Sequence, residues 1–323
     1  MRKRLMVLLL SVVLITACQS AEGSDKPKEI RLDYAYYSPT SLILREFNWV
    51  EEAFSEEDIE VEWVLSQGSN KALEFLNANS IDFGSTAGAA ALISKTNGSP
   101  IENVYIYSKP EWTALVTNEN SEITTVDDLV GKKIAATIGT DPYIFLLRTL
   151  DAHGIDESEV EIINLQHHDG ALALSEGQVD AWAGLDPHMA RLELEEGAKL
   201  FFREPDYNTF GFLNARTEFI EQYPDYTERV IKLYEKARKW AIEHPDEAAE
   251  IVSKHAGIDL DVAKQQLTRN DFSEPIPSDT HKTQLIEAGE ILKRGGVIDS
   301  EHEIETFVEA LIEPRFSEKV IAE

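Results

Sequence analysis

The stretch IDFGSTAGAAAL, residues 81–92, runs from a short apolar segment through glycine and hydroxyl residues into an alanine-rich segment of high helix propensity. That order predicts strand, turn and helix, the unit from which parallel α/β sheets are built. A turn of Gly84, Ser85 and Thr86 at the end of a strand has three uses: a nucleophile elbow, a phosphate loop, or a cradle of backbone N–H groups for some other anion. Gly84 and Gly88 have the spacing of the elbow, but the central position holds Thr86 where that motif needs serine. No GxxxxGK[ST] segment exists, and Gly131-Lys132-Lys133 lacks both the leading glycine and the following hydroxyl. Neither serine hydrolysis nor nucleotide hydrolysis is supported, which leaves the cradle.

The same alternation extends on both sides. EIRLDYAYY (29–37), IEVEWVLS (59–66) and IENVYIYSKPEWTALVTN (101–118) read as strands, and SLILREFNWVEEAF (41–54) and NKALEFLNANS (70–80) as helices. A second series follows, with VEIINLQ (160–166) and VDAWAG (179–184) as strands and DPYIFLLRTLDAHG (141–154) as a helix. From about residue 216 the pattern is almost purely helical; Val230, Tyr234, Ala237 and Ala241 form a core-facing stripe, and Gly257 and Gly295-Gly296 stand at helix exits. Two βα series with a helical tail predict an α/β protein of two lobes, each a mainly parallel sheet flanked by helices.

The chain opens MRKRLMVLLLSVVLITAC, with Arg2, Lys3 and Arg4 ahead of an apolar run too short to span a membrane. Residues 1–17 read as a signal peptide, and residues 18–28 as a processed cysteine followed by a small, polar tether. Cys18 is the only cysteine, which excludes an intramolecular disulfide. Loss of Arg2, Lys3 and Arg4 with the leader takes the formal charge from −29 to −32. So acidic a chain is not a nucleic-acid binder, because that affinity comes from basic residues displacing phosphate counterions.

The eight histidines include the adjacent pair His167 and His168, read as loop residues at the end of VEIINL. A zinc site needs three or four converging ligands, so neither a metal nor another cofactor is expected. What remains is a set of turns at the C-terminal ends of the predicted strands, where open α/β sheets bind ligands. They are YYSPTS (36–41), SQGSN (66–70), GSTAG (84–88), GTDPY (139–143), QHHDG (166–170) and WAGLDPH (182–188). Any one of them has the plainer use of capping a helix. Together they offer neutral donors enough to hold a tetrahedral anion without lysine or arginine. Tyr36, Tyr37, Trp112, Tyr143 and Trp182 lie in or beside these turns as candidate walls, while Asp141 and Asp186 would repel an anion and so either cap helices or meet a cationic group.

Residues 124–190, from TTVDDLVGKKIAATIGTDPY to WAGLDPHMA, closely resemble the second lobe of the lipid-anchored or periplasmic binding proteins for alkanesulfonates. That group lies within a wider family of taurine, nitrate and thiamine-precursor binders. AYYSPTSLILRE, VEWVLSQGSNKALEFLNANSIDFGSTAGAAAL and VYIYSKPEWTALVT resemble the first lobe. The segment Ile15-Thr16-Ala17-Cys18 resembles the lipoprotein processing box. The resemblance implies the periplasmic-binding-protein type II fold with two crossovers, 29–115 and 210–323 forming one lobe and 116–209 the other.

It also implies ligand contacts from Ser38, Thr40, Ser41, Gln67, Gly68, Ser69, Ser85 and Thr86 on the first lobe and from Thr140, Trp182 and Asp186 on the second, to which the reading of the aromatics adds Tyr36 and Trp112. Asp141 departs from the family's hydroxyl at that position and leaves the first-lobe turns as the better sulfonate site. The expected function is capture of aliphatic sulfonates for an ABC permease and its ATPase, without catalysis, by a monomer held at the outer face of the cytoplasmic membrane through lipid on Cys18. Taurine, nitrate and a thiamine pyrimidine precursor are the alternative ligands. An enzyme on this scaffold and a metal-binding lipoprotein are the alternatives of other classes.

Overall fold

The computed structural model describes residues 26–322; the leader, Cys18 and the tether up to residue 25 lie outside the described residues. A first sheet takes β1 (Glu29–Tyr34), β2 (Glu60–Leu65), β3 (Phe83–Ala87) and β4 (Ile101–Pro110). The chain then builds a second sheet from β5 (Leu115–Thr117), β6 (Lys133–Ala136), β7 (Glu161–Asn164), β8 (Ala181–Ala183) and β9 (Lys199–Phe202). It returns to the first sheet with β10 (Gly211–Arg216) and β11 (Asn270–Asp271). The spatial orders are β11-β4-β10-β3-β1-β2 and β7-β6-β8-β5-β9.

β1 is parallel to β2 and β3, and β6 to β7 and β8, as strands joined through helices must be. Each sheet holds an antiparallel strand inserted between its neighbours, and the first also carries the short antiparallel β11 at its edge beside β4. β10 lies between β3 and β4, and β5 between β8 and β9, so the ribbon β4/β10 of one sheet continues as the ribbon β5/β9 of the other. The two crossovers of the two-lobed fold therefore run side by side, tied where Thr113 N–H donates to Asn208 Oδ1 at 3.0 Å.

Ile30, Leu32, Phe83, Tyr105, Phe212 and Leu213 are fully buried where helices cover the first sheet. The helical stripe behaves as its spacing predicts: Pro224–Glu243 is one helix, burying Val230, Tyr234, Ala237 and Ala241. The following helix, Pro245–Ala256, ends on Gly257 at φ 65°, a left-handed position that glycine takes without steric cost. The helix expected over 41–54 is instead two, Pro39–Glu46 and Trp49–Phe54, broken at Asn48 with φ 53°.

The opening stretch needs a larger correction. Gly84, Ser85 and Thr86 are not a turn; they belong to β3, paired residue by residue with β10, and the helix Gly88–Thr96 begins directly after it. Long-range pairing with a strand far along the chain extends the ladder through residues whose local propensity is for a turn. Gly84 packs closely there: a Cβ would come within 2.9 Å of Leu76 Cδ1, and that side chain would have to shift.

Candidate functional site

Six helices start at the C-terminal edges of the strands, at Pro39, Ser69, Gly88, Asp141, His167 and His188, and none is capped by the side chain of its N-cap residue. Their first N–H groups have no partner inside the helix and need one from elsewhere. For the helix that follows GSTA, the partner is the chain itself. Gly88 N–H donates to the Thr209 carbonyl at 2.8 Å and Ala89 N–H to Thr209 Oγ1 at 2.9 Å. The opening stretch thus holds the second crossover, and a Cβ on Gly88 would lie 2.5 Å from that carbonyl oxygen.

Asp141 completes this knot from the other lobe. Its Oδ1 accepts the Thr209 hydroxyl at 2.6 Å, and its Oδ2 accepts Thr209 N–H at 3.0 Å and Trp112 Nε1–H at 2.8 Å. One carboxylate at the start of the helix Asp141–Ala152 thereby grips both crossovers. Burial pushes its pKa up, opposed by the bonds from Thr209 and Trp112. Trp112 also packs edge-on against Tyr37, with ring centroids 5.7 Å apart, and is not among the residues that line the cavity between the lobes.

Asp186 is likewise committed. Its carboxylate receives Arg269 Nη1 at 3.1 and 3.2 Å and Ala190 N–H at 2.9 Å, and its own N–H donates to the Trp112 carbonyl. Arg269 follows the first-lobe helix Leu260–Thr268 and also pairs with Glu193, so this buried ion pair joins the lobes. Burial raises Asp186 to about 6, against the pull of Arg269. Glu111 is held by Arg203 in a two-bond pair of 2.7 and 2.8 Å. Neither acid is free to meet a ligand ammonium.

Between the lobes lies a cavity of about 320 Å³ lined by Tyr36, Ser66 and Gln67 from the first and Gln166, His167 and Asp186 from the second, with no lysine or arginine in its wall. A larger hollow of about 620 Å³ beside Leu147, Ile155 and Arg294 lies away from the strand ends. Of the predicted site residues, Tyr36, Gln67 and Asp186 line the cleft cavity. Gly68 and Ser69 open the helix Ser69–Asn77 at its edge, where a Cβ on Gly68 would come within 2.9 Å of His167 Nε2. Ser69 Oγ accepts Ala87 N–H at 2.9 Å.

The remaining hydroxyls serve the fold. Ser41 Oγ donates to the Ser38 carbonyl at 2.7 Å, Thr140 Oγ1 to the Thr137 carbonyl at 2.6 Å, and Ser38 and Ser85 hydroxyls meet at 3.4 Å. Thr86 Oγ1 donates to the Ala87 carbonyl and receives Asn214 Nδ2 at 2.7 Å, deep in the first sheet. Trp182 is fully buried in the second-lobe core under the helix His167–Ser175, where Gly170 gives it room, and it is not a cleft wall. Thr40 carries a buried hydroxyl with no hydrogen-bond partner, and the buried Ser66 hydroxyl lies beside the Asp33 carboxyl.

His167 is no loop residue: it opens the helix His167–Ser175, is buried, and its pKa falls to about 3 through loss of solvation and the neighbouring His188. Among the described residues no group of His, Cys, Asp or Glu is placed to hold a metal ion, and no helix is long and apolar enough to cross a membrane. Arg269, Thr209, Asn214 and Ser66 carry roles that the sequence reading did not assign.

Residues 53–248 match the family described as NMT1/THI5 like. A protein of Bacillus subtilis (strain 168) named for binding aliphatic sulfonates is 31% identical over 316 residues, 96% of this chain and 95% of its own length. The alkanesulfonate-binding protein SsuA from Xanthomonas axonopodis pv. citri, solved bound to MOPS, superposes with a TM-score of 0.81 at 21% identity, covering 89% of this chain and 99% of that one. The periplasmic aliphatic sulphonate binding protein SsuA from Escherichia coli gives 0.75 at 22%, covering 87% and 97%. These two likenesses speak for the fold, while the extent of the family match and of the Bacillus relative places the sequence: the chain belongs to the NMT1/THI5-like family.

Proposed function

We propose that this chain is the extracytoplasmic solute-binding protein of an ABC importer and captures aliphatic sulfonates for sulfur acquisition. It binds and does not catalyse. The observation that carries the reading is the cavity at the strand ends of both sheets, where the Asp186 carboxylate is already paired with Arg269 and the Ser66 hydroxyl and the open start of the helix at Ser69 offer donors. A singly charged tetrahedral head group is held well by such donors, each charge-assisted bond contributing on the order of 1.5–3 kcal/mol. The printed name of the Bacillus relative supports the choice of sulfonate.

In this reading Tyr36, Ser66, Gln67, Gly68 and the N–H groups of Ser69 and Asn70 seat the head group, with Ser38, Thr40 and Ser41 ordering the adjacent turn. Ser69, Ser85, Thr86, Thr140 and Trp182 support the walls through their bonds and packing, while Trp112 and Asp186 serve closure. Residues 29–115 with 210–323 move as one lobe and 116–209 as the other, and ligand favours the closed form because only that form contacts it from both sides. Residues 1–17 are removed as a signal peptide. Lipid on Cys18 and the tether 18–28 hold a monomer at the outer face of the cytoplasmic membrane, where permease and ATPase take the cargo.

The test is a thermal-shift screen with methanesulfonate through octanesulfonate, taurine, nitrate, sulfate and thiamine precursors. A rise in melting temperature with sulfonates, peaking at one chain length, is the expected outcome. A response only to nitrate or to a pyrimidine would overturn the sulfonate assignment.

A further inference from the structure

The proposed cleft contains a side chain whose hydrogen-bonding sense is fixed by its neighbours. Thr137 Oγ1 lies 2.7 Å from the Leu165 carbonyl oxygen, which can only accept, so the Thr137 proton goes there. The same Oγ1 lies 3.1 Å from His167 Nδ1 and is left as the acceptor, which places the ring proton on Nδ1. His167 is 2% exposed and its lowered pKa keeps it neutral. Its Nε2 is therefore a bare lone pair, buried and without a partner.

This lone pair lies at the wall of the cleft cavity, against Gly68, which makes room for the imidazole by having no side chain. A Cβ there would stand 2.9 Å from His167 Nε2 and 2.9 Å from Asn70 Oδ1, and Asn70 Oδ1 is also buried without a partner. The unpartnered Gln166 Oε1 belongs to the same cavity wall. Acceptors brought together across two lobes call for a donor between them, because a buried acceptor left unpaired is costly. A sulfonate oxygen cannot fill that role, since it only accepts. The lone pair also lies by the positive end of the helix Ser69–Asn77, which disfavours a cation there, and the Asp186 carboxylate in the same cavity wall is already paired with Arg269.

We infer that His167 Nε2, with Asn70 Oδ1, receives a neutral hydrogen-bond donor carried by the ligand, so that the preferred cargo is a sulfonate bearing a hydroxyl group on its carbon chain. The inference rests on the sulfonate reading above and sharpens it to a subclass.

Two measurements on the purified protein test it. Calorimetric titration compares ethanesulfonate with 2-hydroxyethanesulfonate; the hydroxyl is expected to improve affinity roughly 3- to 10-fold, the worth of one neutral hydrogen bond. The gain disappears in His167→Phe, which keeps the ring and removes the lone pair, and shrinks in Thr137→Val, which frees the ring proton to move to Nε2. Nitrogen-15 NMR of the labelled wild-type protein reads the tautomer without any ligand and without a variant that has to fold. A protonated Nδ1 with a bare Nε2 supports the assignment, and a protonated Nε2 overturns it. Equal binding of the two sulfonates overturns the inference and leaves the sulfonate reading standing. Taurine binding more tightly than the hydroxy compound overturns the choice of a neutral donor, and binding of neither sulfonate overturns both levels.

Discussion

Asp141 and Thr209 are joined twice, hydroxyl to Oδ1 at 2.6 Å and N–H to Oδ2 at 3.0 Å, and through this pair one lobe holds the crossover that returns to the other. Thr209 passes the link on to Ala89, so a carboxylate in the second lobe and a helix start in the first share one hydroxyl. Asp141→Ala leaves the Thr209 N–H, the Thr209 hydroxyl and Trp112 Nε1–H without their acceptor. The expected loss is about 3 kcal/mol, the cost of stranding buried donors, with a fall in Tm of roughly 6–10 °C. A double-mutant cycle with Thr209→Val should give a coupling of about 1 kcal/mol or more; additive effects would show the pair to be incidental.

Arg269 binds Asp186 across the cleft, and its removal strands a buried carboxylate while cutting a tie between lobes. Arg269→Met is expected to raise the radius of gyration of the ligand-free protein in small-angle scattering and to weaken ligand binding about 10-fold, because closure loses a contact. Adding Asp186→Asn should recover part of the lost stability. Unchanged scattering and affinity in Arg269→Met would sink the assignment of this pair to closure.

Asp33 is fully buried, accepts Ser85 N–H at 2.8 Å through Oδ1 and lies beside the Ser66 hydroxyl. Burial raises its pKa from 3.8 to about 7. A carboxyl whose folded pKa lies above its unfolded value stabilises the fold fully at pH below about 4, and that contribution is lost as pH rises through 7. Asp186, raised to about 6, adds a slope of the same sign. Urea unfolding should show Asp33→Asn removing on the order of 2–4 kcal/mol of the fall in stability between pH 4 and pH 8. A parallel pH dependence in variant and wild type would count against a protonated Asp33.

Thr86 and Ser66 are expected to separate fold from site. Thr86→Val removes the acceptor of Asn214 Nδ2 inside the first sheet, so it should cost about 1–2 kcal/mol of stability and leave ligand affinity unchanged. Ser66→Ala removes a hydroxyl of the cavity wall that lies beside the Asp33 carboxyl, and should weaken sulfonate binding roughly 5- to 10-fold with a smaller change in Tm than Thr86→Val. Calorimetry and thermal denaturation of both variants decide it, and the opposite pattern would return the anion seat to the end of β3.

Local pattern made the parallel strands and the helical tail legible, because apolar periodicity and a glycine such as Gly257 act within a few residues. β10 was not legible. GFLNAR reads as a strand only once β3 and β4, more than a hundred residues earlier, are on either side of it. The same distance hid the fate of the site residues. Nothing near Thr86 announces Asn214, nothing near Asp186 announces Arg269, and an aromatic at a strand end such as Trp182 looks alike in a core and in a cleft. Asp141 stood out in the sequence as a carboxylate at a helix start, but nothing near it announces Thr209 or Trp112, which donate to it.

The side-by-side crossovers make the second lobe a cassette. Its entry and exit are one hydrogen bond apart, at Thr113 and Asn208, and every strand between them belongs to the second sheet alone. Cutting and splicing at those two positions exchanges an entire wall of the cleft without disturbing a strand of the first sheet. The acceptor-bearing face with His167 can thereby be transplanted between relatives as a single block, or replaced by a reporter domain whose signal follows the hinge.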